Sequence, residues 1–413
     1  MRILVLSTLF PPVAFGGYEV ECSGVVERLR AEHEVLVLTS DLDRVSVAAQ
    51  PGVRRELPGL SPDSSGARRA PVATLRAVRA ARRALLWEPD LIYSWNGSSV
   101  PQAALRVLAD SGVPLAFRVC EHWFGNIFVT DQFMRELLPA SRPPARATWA
   151  AGCRALNLLP SLRLDPRAPL RAAISWNSEA LRRMVPVQPF IEPVLERVGH
   201  SVPRYGDLYA EVPREPSPDP EILFVGRVTP YKGVFVAIEA LALLRMEYGI
   251  AASLVVVGPE DPEHGADMRR LAASLGVAGA TTWRGALERE QLAVQLSRAS
   301  VMIVPSVWDE PFPLVTIEGA LGRVPLVASD VGGVGEGMHE EEHALLFARG
   351  DARQAADALA RTLREQPATA ERVARAYERA QAFRLEAYLD EQERFVADAH
   401  AALAGRASSA RAL

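Results

Sequence analysis

The stretch Trp308-Asp-Glu-Pro-Phe-Pro-Leu-Val-Thr-Ile-Glu-Gly-Ala-Leu-Gly-Arg323 decides how this chain is read. An apolar strand-like run, Val301 to Val304, precedes it, and a second, Val324 to Ala328, follows. Pro311 and Pro313 make the start irregular, and proline suits the first position of a helix, where its missing N–H has no partner anyway. The stretch therefore predicts a helix from near Pro313 to Gly322, with Glu310 in the loop before it and Glu318 within it. The amides of Leu314 and Val315 then point outward from a helix N-terminus, where an anion is favoured. Two carboxylates beside such an end suit a ligand carrying both phosphate and hydroxyl groups. A solvated loop glutamate and a helix-surface glutamate would give the same pattern.

Working outward, apolar runs alternate with helical stretches along the whole chain. Strands are expected at 2–7, 34–38, 90–93, 114–119 and 172–175, with helices at 18–31, 71–86, 99–109 and 177–184 and further helical stretches to about 160. Residues 201–220 are rich in proline and lack periodicity, so they read as a linker. The alternation then restarts, with strands at 222–226, 252–257, 281–284, 300–304, 324–328 and 344–347, and helices filling 351–403. This is the pattern of two doubly wound, Rossmann-like α/β domains in series. Such sheets bind ligands beyond the carboxyl ends of their strands, so the expected site is a central cleft between the domains.

The 413 residues are 49% apolar, enough for sizeable cores. Cys22, Cys120 and Cys153 lie far apart without a C-x-x-C, which argues against a disulfide framework, a zinc site or a dithiol. The opening apolar run ends at Pro11-Pro12, too short for a membrane span, and reads as a buried strand of a cytoplasmic protein. Residues 1–200 carry 24 arginines against 19 acidic residues, and the remainder carries 22 basic against 31 acidic. The basic half, with its amphipathic stretch Val72–Trp87 bearing Arg76, Arg79, Arg82 and Arg83, suits an anionic membrane or a phosphorylated acceptor. A solvated, arginine-rich surface is the plainer reading. No nucleic-acid partner is expected.

Several segments fall at strand ends. The first strand leads to Gly16-Gly17 before a helix, which lets backbone approach a ligand. This is not G-x-G-x-x-G, so a nicotinamide oxidoreductase is disfavoured. His122 follows the strand 114–119. The segment Phe224-Val-Gly-Arg-Val-Thr-Pro-Tyr-Lys-Gly233 carries Arg227 and Lys232 around a turn that opens a helix, an arrangement that suits a diphosphate. Lys232 is the only lysine in the chain. Ser329-Asp-Val-Gly-Gly-Val-Gly-Glu336 offers another close backbone approach. The D-x-D at Asp41-Leu-Asp43 reads as a loop, outside the cation segment.

Together, Glu310 and Glu318 as E-x7-E, Gly226-Arg227 with Lys232-Gly233, Gly16-Gly17, His122, Trp283-Arg-Gly-Ala-Leu and Ser329-Asp-Val-Gly-Gly resemble the retaining group 1, or family 4, glycosyltransferases. The resemblance implies the GT-B architecture and transfer of a sugar from a UDP- or GDP-linked donor to an acceptor hydroxyl, with retained configuration and neither metal nor cofactor. It implies that Arg227 and Lys232 bind the leaving diphosphate, Glu310 the donor sugar, Glu318 the ribose, and that His122 lies near the reacting carbon. Gly16, Gly17, Gly226, Phe312, Pro313, Leu314 and Val315 would complete the donor site. The implied domains are an acceptor domain at 1–200, a donor domain at 201–385, and a C-terminal helix and tail at 386–413 crossing back. The family's Asn-Gly-Val-Asp before the linker is replaced here by Gly199-His-Ser-Val-Pro, and Gly-x-Gly after 252–257 by Gly258-Pro-Glu-Asp. An envelope glycan or glycolipid made at the inner membrane face is the expected acceptor class, with a soluble natural product or small sugar as the alternative. A nucleotide-sugar epimerase and a non-catalytic binding protein share the architecture.

Overall fold

The computed structural model describes residues 1–13, 17–42, 47–59, 70–96, 101–127 and 169–404. The chain divides into two compact units, Met1–Gly199 with Leu389–Leu413, and His200–Tyr388.

Unit 1 is built on β1 (Arg2–Ser7), β2 (Glu34–Ser40), β3 (Val53–Leu57), β4 (Leu91–Asn96), β5 (Leu115–Val119), β6 (Leu170–Trp176) and β7 (Ile191–Val198). They pair in parallel in the order β3-β2-β1-β4-β5-β6-β7. A parallel strand covered on both faces needs a continuous apolar run rather than alternation. Ile3, Leu4, Val5 and Leu6 supply one and are fully buried. Arg118 breaks the rule inside β5. Its guanidinium is fully buried, donating to Glu21 Oε1 at 2.8 Å and to Ser175 Oγ at 3.0 Å. Unpaired, that charge would be strongly destabilising. The helix Leu385–Ala404 joins this unit from Leu389 onward. Tyr93 donates its hydroxyl proton to Gln392 Oε1 at 2.8 Å, and Arg28 pairs with Glu393 at 3.0 Å.

Unit 2 is built on β8 (Glu221–Val225), β9 (Ser253–Val257), β10 (Thr281–Gly285), β11 (Val301–Val304), β12 (Leu326–Ser329) and β13 (Leu345–Phe347). All pairings are parallel, in the order β10-β9-β8-β11-β12-β13. The helices Val234–Met246 and Ala352–Arg364 pack together over this sheet and bury Ile238, Leu241 and Leu359.

The expected alternation holds, with three differences. β3, Val-Arg-Arg-Glu-Leu, is an edge strand whose first four residues are only half-buried, so it shows no apolar run. β7 is the opposite edge and contains Pro193, which an edge tolerates because one side of the strand needs no donor. The stretch read as linker contains a helix, Gly206–Glu211. Residues 128–168, most of the expected helical stretch to about 160, lie outside the described residues, as do Gly16 and Asp43. Asp41 is committed structurally: it accepts from the Gly59 amide at 3.2 Å and pairs with Arg76. No helix among the described residues is long and apolar enough to cross a membrane.

Candidate functional site

In unit 2 the chain runs outward from β8 to β10, then returns to β11 on the other side of β8. The junction of β8 and β11 is therefore the topological switch point, where loops leave in opposite directions and open a crevice. Three loops converge there, after β8, β11 and β12. The first carries Gly226, Arg227 and Lys232; the second carries Glu310; the third carries Gly332 and Gly333.

Lys232 closes a short 3-10 turn, Pro230–Lys232. Gly233 follows at φ +70°, and a Cβ there would sit 1.8 Å from the Pro305 carbonyl oxygen, so only glycine lets this turn press on the β11 loop. Val307 donates its amide to Tyr231 O at 2.9 Å and fastens the same contact. The result is an ion pair: Lys232 Nζ lies 2.5 Å from Glu310 Oε1. Ser306 Oγ donates to that same oxygen at 2.5 Å. Ser329, from the end of β12, fixes Ser306 in turn by donating to its carbonyl at 2.6 Å. The Gly333 amide donates to Glu310 O at 2.7 Å, and a Cβ on Gly332 would lie 2.1 Å from that carbonyl oxygen. Glu310 is thus held by side chain and backbone. Its Oε2 makes no hydrogen bond among the described residues and is not sealed from solvent. Arg227 is exposed, its guanidinium 5.6 Å from the Tyr231 ring centre.

The helix begins at Leu314 with Pro313 as its cap residue, which brings no side-chain hydrogen bond. The first-turn amides of Leu314 and Val315 have no acceptor within the helix, and both residues are half-buried. Phe312 is different. Its ring is buried against His200, at 4.8 Å, and Phe383, at 5.4 Å, so its side chain packs the loop. His200 also meets Glu336 at 3.2 Å. Glu318 sits on the helix, half-buried. Burial pushes its carboxyl above the usual range, and the Arg289 guanidinium pulls it partly back.

Gly17 and His122 belong to unit 1. Gly17 opens the helix Gly17–Leu29, and His122 lies in the turn between β5 and the helix Trp123–Ile127. Gly16 falls outside the described residues. Sequence reading missed Ser306, Arg289 and Tyr209. A hydroxyl four residues before a loop glutamate was the one available signal. His339, Glu342 and His343 also lie together, their ligand-type atoms within 4.8 Å of one another. His343 Nδ1 accepts from the His339 amide at 3.1 Å, so the neutral ring carries its proton on Nε2. Metal-bound imidazoles favour the reverse, a bare ligating nitrogen and a donating partner, and this cluster reads as a loop brace.

Two parallel sheets with helices on their faces and a cation–carboxylate pair at a switch point define an α/β protein of the GT-B class. The match to solved structures agrees. Sucrose-phosphate synthase from Thermosynechococcus elongatus superposes with a TM-score of 0.69 at 21% identity, covering 97% of this chain and 99% of that one. Anabaena HepE, solved with UDP and glucose, gives 0.66 at 19% identity, covering 96% and 100%. Residues 207–382, somewhat under half of the chain, match the family Glycosyl transferases group 1. Among curated relatives, a glycogen synthase of Mycobacterium tuberculosis is 35% identical over 164 residues, 40% of this chain and 38% of that protein. A D-inositol 3-phosphate glycosyltransferase of Acidothermus cellulolyticus is 36% identical over 151 residues, 34% of this chain and 33% of that protein. The matched region thus spans under two-fifths of either relative's length.

Proposed function

We propose that the protein is a retaining glycosyltransferase that moves a sugar from a UDP- or GDP-linked donor to an acceptor hydroxyl. The observation that carries this is the Lys232–Glu310 pair at the switch point, with Glu310 Oε2 left open beside the free amides of the helix Leu314–Leu321. HepE, of the same fold, was solved with UDP and glucose. In the proposed reaction the bond from the anomeric carbon to the diphosphate oxygen breaks while the acceptor oxygen bonds that carbon from the same face. The acceptor proton passes to the leaving phosphate. Arg227 and Lys232 meet the charge that grows on the diphosphate, stabilising it more as the bond breaks than before. Glu310, with Oε1 already committed to Lys232 and Ser306, takes sugar hydroxyls on Oε2. That commitment favours front-face attack over a carboxylate nucleophile. His122 is assigned to the sugar near its reacting carbon, and Gly16 and Gly17 to the diphosphate.

A thermal-shift panel of nucleoside diphosphates and nucleotide sugars tests the donor. Ligand at about 100 times its dissociation constant adds about 2.7 kcal/mol to folded stability. A rise in melting temperature with one base family is expected, and no rise with any member overturns the proposal. For the acceptor we favour a lipid-linked envelope glycan. The helix Ala70–Leu85 exposes Val72 (58%) and Leu75 (37%) beside Arg76, Arg79 and Arg83. An amphipathic, arginine-bearing helix suits an anionic bilayer surface. Sedimentation with anionic but not neutral vesicles is expected, and equal recovery with both would favour a soluble acceptor.

A further inference from the structure

The helix Gly206–Glu211 is held against the donor helix Leu314–Leu321 at both ends. At its start, a Cβ on Gly206 would lie 2.7 Å from Leu321 Cδ1, so the missing side chain makes the contact possible. At its end, Arg323 Nη1 donates to Ala210 O at 3.0 Å, a cation where a helix C-terminus favours one. Nothing in a passive linker requires such fastening. Its effect is to bury Tyr209, 1% exposed, near Glu318, with Arg289 facing the hydroxyl oxygen and the hydroxyl proton unspent. An unspent buried donor is destabilising, and its position next to Glu318 gives it a use. Arg289 completes the group from the start of the helix Arg289–Arg298, its guanidinium 4.6 Å from the Tyr205 ring centre.

We propose that Arg289 and Tyr209 are positioning residues for nucleoside recognition. Arg289 keeps Glu318 ionised, and Tyr209 donates to its carboxylate as it turns to accept the ribose hydroxyls of the donor. This rests on the donor site proposed above and assigns two residues to it. Burial and the neighbouring Glu318 push the Tyr209 hydroxyl up to about 12, so it remains a donor across the working pH range. The other charged groups on elements packed against the donor helix are exposed, as Glu371 and Glu378 are, or engaged elsewhere. Asp207 and Glu211 are exposed. Arg323 lies on the Tyr377 ring at 3.8 Å. Arg379 donates to Glu336 O, Arg375 to Glu342 O, and Arg372 to Thr369 Oγ1. Glu336 faces His200.

The test is the affinity of UDP and GDP measured by calorimetry between about pH 4 and 8, a span covering carboxylate and imidazole titration, for wild type and four variants. Wild type should lose affinity as falling pH protonates Glu318. Arg289→Gln should weaken binding about tenfold at neutral pH, the usual effect of losing one charge-assisted contact, and should shift the loss to higher pH. Arg289→Lys, which keeps the charge, should restore the wild-type midpoint. Tyr209→Phe should weaken binding about threefold to tenfold without moving the midpoint. Glu318→Gln should flatten the profile. A folded Arg289→Gln protein with the wild-type profile overturns the inference alone, as does an Arg289→Lys protein that behaves like Arg289→Gln. Wild type that binds neither nucleotide overturns both this inference and the donor site.

Discussion

Lys232→Met is expected to lower the rate of sugar transfer by about 10²–10³-fold, the usual effect of deleting one preorganised stabilising group. The ammonium is the only one on a side chain in the protein, so no neighbouring lysine substitutes for it. If the ammonium is solvent-accessible in the empty site, its loss is expected to spare folding. The structure revises that. Lys232 is 23% exposed and paired with Glu310, itself 6% exposed, at 2.5 Å. Removing one partner of a buried pair costs about 3–5 kcal/mol, and solvent at the lysine end brings this case below that range. The variant should therefore melt earlier as well as turn over slowly. The double variant Lys232→Met with Glu310→Gln separates the two effects, because it removes both charges together. Melting temperature should recover largely, and turnover should not. Arg at 232 should rescue turnover only in part, since a planar fork is not a compact point charge. An amine reagent, which has one side chain to reach, should be excluded from Lys232 by bound nucleoside diphosphate. Near-normal transfer by the Met variant, or labelling indifferent to nucleotide, would remove this lysine from the mechanism.

The same pair shows what was legible in the sequence and what was not. The buried strands are continuous apolar runs such as Ile3–Leu6, and the switch between strand and helix periods marks them clearly. β3 and β7 escape because an edge strand leaves one side to solvent and takes charge and proline there. The helix Gly206–Glu211 escapes because Pro203 and Pro213 flank it, and because Leu321 and Arg323 hold it from outside. Glu310 and Lys232 each stand out, one by spacing and one by rarity. That they neutralise each other across 78 positions is tertiary information. Arg289 and Tyr209 lack any local pattern, and Ser306 offers only a hydroxyl four residues before Glu310, since the importance of each comes from the neighbour it meets.

Replacing the two carboxylates by glutamine should give opposite stabilities and different functional losses. Glu310→Gln leaves Lys232 without its counter-ion and Ser306 with a weaker acceptor, so the empty protein should lose stability. Its nucleoside diphosphate affinity should change little, because its open oxygen is assigned to the sugar, while turnover should fall by about 10²–10³-fold. Glu318→Gln should instead weaken nucleoside diphosphate binding by about tenfold and stabilise the empty protein. Burial is the larger influence on Glu318 and raises its pKa in the folded state. A group with a raised folded pKa contributes fully below its unfolded value, and the contribution fades as pH rises through the folded value. Glutamine mimics the protonated carboxyl at every pH. The gain in melting temperature should thus be absent in acid and appear above that window, at about 2–4 °C for each kcal/mol in a unit of this length. Melts of both variants across pH, with calorimetric titration of the nucleoside diphosphate, check each part. Equal losses of nucleotide affinity in the two variants, or a Glu318→Gln protein that is less stable than wild type above the titration, would show that the carboxylates do not divide the donor between them.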